Sequence, residues 1–149
     1  MVPGIRLVLL GKQGAGKGTQ CVRLARHYVV SHVSTGDIFR AAVRSDSELG
    51  HAVKGFLDAG ELVPDEVTLK AVGERLNHPD TASRGFILDG FPRSVNQAKL
   101  LDELLDPIQL DMVIDLHIST EEALTRLNGR RVFCTTSSRQ RLTASYFSK

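Results

Sequence analysis

The 149-residue chain is 42% hydrophobic and 24% charged, the length and balance of one soluble globular domain able to bury a core. No apolar run approaches the ~20 residues needed to cross a bilayer, so a membrane protein is not expected. Cys21 and Cys134 show neither CxxC nor His-pair spacing, so neither a disulfide framework nor a zinc site is implied, and both read as free thiols of a cytoplasmic protein.

The net charge of +2 is uneven: fourteen basic residues face seventeen acidic ones up to Leu127, whereas five basic residues and no acidic one follow from Asn128. A basic end can meet nucleic acid, but it carries no interleaved aromatics and no recognisable nucleic-acid module, so no such partner is expected.

Taken in chain order, apolar blocks alternate with amphipathic stretches, the pattern of a parallel sheet covered by helices. Ile5 to Leu10 is a continuous apolar run, too short for a signal-peptide core, and reads as a buried first strand. Cys21, Leu24, Ala25 and Tyr28 recur at helical spacing and predict a helix from about Lys17 to Tyr28. Val29 to Val33 reads as a short second strand, and Thr35 to Val43 as a helix. Leu49, Val53, Phe56 and Leu57 give another amphipathic face before Gly60. Pro64 suits the first turn of the next helix, where Asp65 and Glu66 favour the dipole, and Asn77-His78-Pro79 should end it. Gly85 to Leu88 reads as the third strand. A helix after Pro92 buries Leu100, Leu101, Leu104 and Leu105 and stops at Asp106-Pro107. Met112 to Ile118 reads as the fourth strand, and Ser119 with Glu122 three residues on has capping-box spacing for a helix that ends at Asn128-Gly129. Of the last eighteen residues seven are Ser or Thr, and no period persists, so 132–149 reads as a divergent, disordered tail.

Chemistry concentrates at the ends of two apolar strands. Gly11-Lys-Gln-Gly-Ala-Gly-Lys17-Gly-Thr19 follows the first strand and opens a helix. Glycines there let backbone N–H groups turn inward on phosphates, the helix N-terminus adds donors and a favourable dipole, and Lys17 adds a point charge. The motif departs from G-x-x-x-x-G-K-[ST] in having Gly18 after the lysine, which leaves Thr19 as the hydroxyl nearest a metal-bound nucleotide. Asp89-Gly-Phe-Pro-Arg93 ends the third strand, where open α/β sheets bind ligands. That places Asp89 to hold a magnesium ion through water and Arg93 to grip a phosphate, with Gln97 one helical turn on, able to meet a base edge. Ser34-Thr-Gly-Asp-Ile-Phe-Arg40 alone reads as a capped helix with a surface arginine. The spacings of the five histidines suit no metal site, and a structural or surface role is expected for them.

These motifs, in order and spacing, resemble the adenylate kinase family: GAGKGTQ, STGDIFRAAV, SELG, DAGELVPDE, GFILDGFPRS and LNGRRV, from Ile5 to Val132. The resemblance implies a P-loop NTPase-type three-layer α/β/α fold with a parallel sheet. It implies a kinase core over 1–131, a nucleoside-monophosphate arm over 34–63, and reversible transfer of the ATP γ-phosphoryl group to AMP with Mg²⁺. By that similarity Gly14, Ala15, Gly16, Lys17, Gly18 and Thr19 form the ATP phosphate loop, with Arg126 stacking on adenine and Arg130 binding phosphate. Thr35, Arg40, Glu61, Leu62, Val63, Gly90, Phe91, Pro92, Arg93 and Gln97 match AMP-contacting positions, and Lys17, Asp89, Arg93 and Arg130 carry the catalysis. UMP/CMP kinases have Asn where this chain has Gln97, which favours AMP as acceptor. Gln13 stands where many members have proline.

Arg130-Arg131 correspond to the opening of the family's lid, and the returning lid, last core strand and closing helix are not recognisable after Val132. The resemblance is therefore to a C-terminally truncated member, and two expectations stand: an adenylate kinase, or a catalytically impaired nucleotide-binding remnant of one. A monomer is expected from the family, with self-association open to it through a fourth strand left as an uncovered edge.

Overall fold

The computed structural model describes residues 4–129. Four strands, β1 (Arg6–Gly11), β2 (Ser31–Ser34), β3 (Phe86–Asp89) and β4 (Met112–Leu116), form one sheet in the order β2-β3-β1-β4, every pair parallel. Seven helices complete the described chain: α1 (Lys17–Tyr28), α2 (Thr35–Arg44), α3 (Glu48–Ala59), α4 (Asp65–Leu76), α5 (Pro79–Arg84), α6 (Val95–Leu105) and α7 (Thr120–Asn128). This is the expected three-layer α/β/α arrangement.

Side-chain alternation along the strands builds both faces. Leu7 and Leu9 of β1 and Ile87 of β3 point to one side, where they pack with Cys21, Leu24, Ala25 and Tyr28 of α1. Val8 of β1, with Phe86 and Leu88 of β3, points to the other, against Val72 and Leu76 of α4 and Leu101 and Leu105 of α6. Strands buried on both faces explain the unbroken apolar runs read from the sequence. A third, smaller cluster, Phe39, Val53, Val63 and Ala71, binds α2 and α3 to α4. Burial of the Val, Leu, Ile and Phe side chains among these contributes about 1.5–3 kcal/mol each.

Besides one-residue shifts in β1, β3 and the end of α2, three differences from expectation stand out. β2 begins at Ser31 rather than Val29, because Val29 takes the left-handed conformation (φ 57°) that closes α1, donating its N–H to the Ala25 carbonyl. The helix ending at Leu76 is followed by a further helix, α5, where a stop alone was expected. Pro79 occupies its first turn, Asp80 follows it there, and Arg84 lies in the last turn, charges suited to the helix dipole. β4 stops at Leu116, two residues short of Ile118. Ser119 does cap α7, accepting from the Glu122 N–H at 3.1 Å, but the Glu122 carboxylate pairs with Arg126, leaving the box half made.

Among the described residues β4 has β1 as its sole strand neighbour, and Met112 (54%) and Val113 (53%) are exposed, so the fourth strand is an uncovered edge as expected. No helix among the described residues is long and apolar enough to cross a membrane.

Candidate functional site

The site lies at the carboxyl ends of β1 and β3. The chain leaves β1 into α1 on one face of the sheet and leaves β3 toward α6 on the other, so a crevice opens between these neighbouring strands. Their register sets Leu9 beside Asp89, bringing the loop after Gly11 alongside the turn after Asp89.

The first wall is the glycine-rich loop. Gly16 caps α1 with φ 92°, a left-handed conformation in which a side chain would be strained although nothing lies within 4 Å of the place for a Cβ. The Ala15 N–H closes a turn on the Lys12 carbonyl (3.1 Å) and its side chain is buried. Lys17 folds back across the loop, its Nζ donating to the carbonyls of Gly11 (2.8 Å) and Lys12 (3.0 Å). These two bonds hold the ammonium at the loop, next to the helix N-terminus.

The second wall is the turn after β3. Gly90 has φ 82°, and a Cβ there would lie 3.0 Å from Thr35 Oγ1 and 3.2 Å from an Arg93 guanidinium nitrogen. Its carbonyl accepts from both Thr35 Oγ1 (3.3 Å) and Arg93 Nε (2.7 Å), which fixes the guanidinium over the turn.

Between the walls is a cleft of about 720 Å³ lined by Gly14, Gly16, Lys17, Gly18 and Thr19 on one side and Thr35, Arg40, Asp89, Gly90 and Arg93 on the other, with Arg126 at its margin. Lys17 and Arg93 also line a neighbouring hollow of about 740 Å³ with Pro92. Arg40 is paired with Asp37 at 2.6 Å, and Arg126 with Glu122. Arg130, together with Arg131, lies outside the described residues.

A smaller pocket of about 160 Å³ adjoins the cleft and gathers Thr35, Arg40, Glu61, Leu62, Val63, Gly90, Arg93 and Gln97. These come from α2, the α3–α4 connection, the turn after β3 and α6. Of the expected acceptor-site residues, Phe91 departs in its side chain, which is 1% exposed within the core and leaves only its backbone for a ligand.

Sequence reasoning passed over three residues of this region. Asp65, read as a dipole partner for α4, accepts from Gln97 Nε2 (2.5 Å) and Asn96 Nδ2 (3.0 Å), and the Asn96 bond first, then that of Gln97, holds its carboxyl below the ordinary range. The Gln97 Oε1 meanwhile accepts from the Arg93 N–H at 2.7 Å. The Gln97 amide is thereby oriented from both ends. The other two are Cys21 and His32, which the sheet order brings to Asp89. His32 Nε2 lies 3.5 Å from Asp89 Oδ2, and Cys21 is fully buried, its thiol pushed up to about 12 by burial and then by the Asp89 charge. Nothing in linear spacing reveals the contact, because it depends on β2 lying beside β3.

A glycine loop joining a central parallel strand to a helix, with a lysine and an arginine facing each other across the strand ends, defines a P-loop-type nucleotide-binding α/β protein. The adenylate kinase family model matches residues 9–146, and the chain belongs to the adenylate kinase family. It is 51% identical over 130 residues to an adenylate kinase of Streptomyces coelicolor, covering 86% of this chain and 59% of that protein. An adenylate kinase of Acetivibrio thermocellus is 49% identical over the same length and coverage, and one of Shouchella clausii 48% identical over 134 residues, 89% of this chain and 61% of the relative. The chain thus spans about 59% of the length of the curated relatives it matches.

Proposed function

We propose that this chain is an ATP:AMP phosphotransferase, moving the ATP γ-phosphoryl group reversibly to AMP to give two ADP. The observation that carries the reading is that Lys17 and Arg93 line one cleft, with Asp89 between their loops. Phosphoryl transfer needs little covalent help from the protein. Alignment of donor and acceptor oxygens and stabilisation of spreading negative charge supply most of the acceleration.

On this reading the backbone N–H groups of 14–19 and the Lys17 ammonium hold the ATP phosphates, and Arg126 lies against the adenine. Arg130, from outside the described residues, adds a phosphate contact. Arg40 and Arg93 hold the AMP phosphate, while the small pocket lined by Thr35, Glu61, Leu62, Val63, Gly90 and Gln97 takes the nucleoside, with the backbone of Phe91 and Pro92 beside it. Gln97 keeps one amide N–H beyond its bond to Asp65, and that donor meets the acceptor base. Leaving the Asp37 pair frees the Arg40 guanidinium for a phosphate, a bidentate partner of higher charge. Closure of the arm, 34–63, over the cleft keeps water from the phosphoryl group.

The donor set suits magnesium: Asp89 is a carboxylate lining the cleft, 16% exposed, its Oδ2 3.6 Å from where a Cβ on Gly18 would stand, and Thr19 lines the same cleft. Asp89 would hold Mg²⁺ there, and the ion would supply positive charge to the transferring phosphates.

A second reading, nucleotide binding without turnover, rests on the cleft of Lys17 and Arg93 being formed from the described residues, outside which Arg130 lies. ADP formation in a coupled assay, with ATP and AMP binding followed by calorimetry, tests both. Turnover supports the kinase, binding of both nucleotides without turnover supports the second reading, and absence of binding refutes both.

A further inference from the structure

Cys21 of α1, His32 of β2 and Asp89 of β3 are far apart in sequence, yet one potential ligand atom of each lies within 4.8 Å of the others. The His32 Nε2 is buried and makes no hydrogen bond, an unusual state for a ring nitrogen enclosed by protein. It stands 3.5 Å from Asp89 Oδ2. The edges of a tetrahedral zinc site are about 3.3–3.7 Å, given bonds of about 2.0–2.3 Å to nitrogen, oxygen and sulfur. The His32–Asp89 edge already has that length, and the sulfur needs to approach by at most about an ångström.

We propose that Cys21, His32 and Asp89 form a three-ligand site for a thiophilic divalent cation such as Zn²⁺, opening onto the nucleotide cleft. One sulfur, one imidazole nitrogen and one carboxylate oxygen form a donor set that zinc, cobalt(II) and cadmium accept and magnesium does not favour. On binding, the Cys21 S–H proton passes to solvent as the sulfur–metal bond forms, and neutral His32 donates its Nε2 lone pair. His32 and Asp89 both line the cleft whereas Cys21 sits behind them, so the fourth position faces the cleft and takes water.

The site shares Asp89 with the magnesium position of the kinase reading but does not depend on that reading, because its coordination is measured without turnover. Its consequence is antagonism: a soft cation at the base of the cleft ties up Asp89, so zinc and magnesium-nucleotide exclude each other.

Cobalt(II) titration of the full chain tests the site. A sulfur-to-cobalt charge-transfer band saturating at one ion per chain is expected, absent in Cys21→Ser and retained in Cys134→Ser. His32→Gln, which leaves the buried thiol in place and guards against misfolding of the cysteine variant, should weaken cobalt binding at least about tenfold, the least that even outer partners of metal ligands cost. No band, or a band that persists in Cys21→Ser or vanishes with Cys134→Ser, overturns the proposal. Zinc binding that is indifferent to magnesium-ATP overturns the antagonism, and a chain that forms no ADP yet gives the Cys21-dependent band refutes the kinase reading alone.

Discussion

Two glycines of one helix make opposite predictions on replacement by alanine. In a helix interior alanine is favoured over glycine by about 1 kcal/mol, so propensity alone assigns the same gain to Gly50→Ala and Gly55→Ala in α3. At Gly55 nothing lies within 4 Å of the added methyl, and the gain should be realised. At Gly50 the methyl would lie 2.3 Å from the Ala42 carbonyl oxygen, 2.6 Å from its carbon and 2.8 Å from the Val43 nitrogen. All three atoms are backbone and cannot rotate away, so α3 must retreat from α2 by about 1 Å to restore ordinary contact. The same Ala42 oxygen accepts from Ser45 Oγ (3.1 Å), Ser47 Oγ (3.1 Å) and the Ser47 N–H (3.2 Å), which anchors it against such movement. Overpacking costs about 1–3 kcal/mol, and disturbance of those bonds puts this case toward the upper end. Set against the propensity gain, the net loss is about 1–2 kcal/mol. At about 2–4 °C per kcal/mol for a chain of this size, thermal melting should place Gly50→Ala about 2–8 °C below the parent and Gly55→Ala about 2–4 °C above it. A Gly50→Ala protein that melts as high as Gly55→Ala would refute the close approach of the two helices.

Four further outcomes follow from geometry already described. Phe91→Ala, emptying a core position 1% exposed, should cost about 3–5 kcal/mol in a urea titration. On the kinase reading proposed above, Lys17→Met should weaken ATP binding about 10- to 100-fold by calorimetry, the worth of a charge-assisted bond, with little change in melting temperature. On the same reading, Asp65→Ala, releasing Gln97 and Asn96, should raise KM for the acceptor nucleotide about tenfold while leaving kcat near the parent value. Asp80 is held well below the usual carboxylate range, first by the Arg75 guanidinium (2.8 and 2.9 Å) against partial desolvation, then by His78, Ser31 and Thr81. A lowered folded pKa means stability that is present above the unfolded value near 4 and lost as pH falls below it. Asp80→Asn should therefore destabilise at neutral pH and flatten the loss between about pH 4 and 2.

How much of this was legible in the sequence depended on the range of the interactions involved. The α1 helix was read with both ends right because the glycine loop starts it and its apolar spacing is local. The strands declared themselves as apolar runs, but their order did not, and with it went the meeting of Cys21, His32 and Asp89. Val29 misled because a β-branched residue reads as strand, while its backbone serves as a left-handed helix terminus. Pro79 reads as a stop in the sequence because it cannot continue the preceding helix, yet it also starts the next one. The motifs named Arg93 and Gln97, yet the carboxylate that orients Gln97 is thirty-two residues upstream, visible only after α4 and α6 pack together.

The separate cluster of Phe39, Val53, Val63 and Ala71 bears on cooperativity. The helices of 34–63 pack on one another and on Ala71 and Val67 of α4, and Ile38 packs against both clusters, so opening of this segment uncovers one face of α4 while the sheet interior stays packed. Amide exchange should then divide into two tiers, with β1 and β3 opening only on global unfolding and α2–α3 opening together at lower free energy. The seam where those tiers separate runs through Ile38 and the Ala71 face of α4.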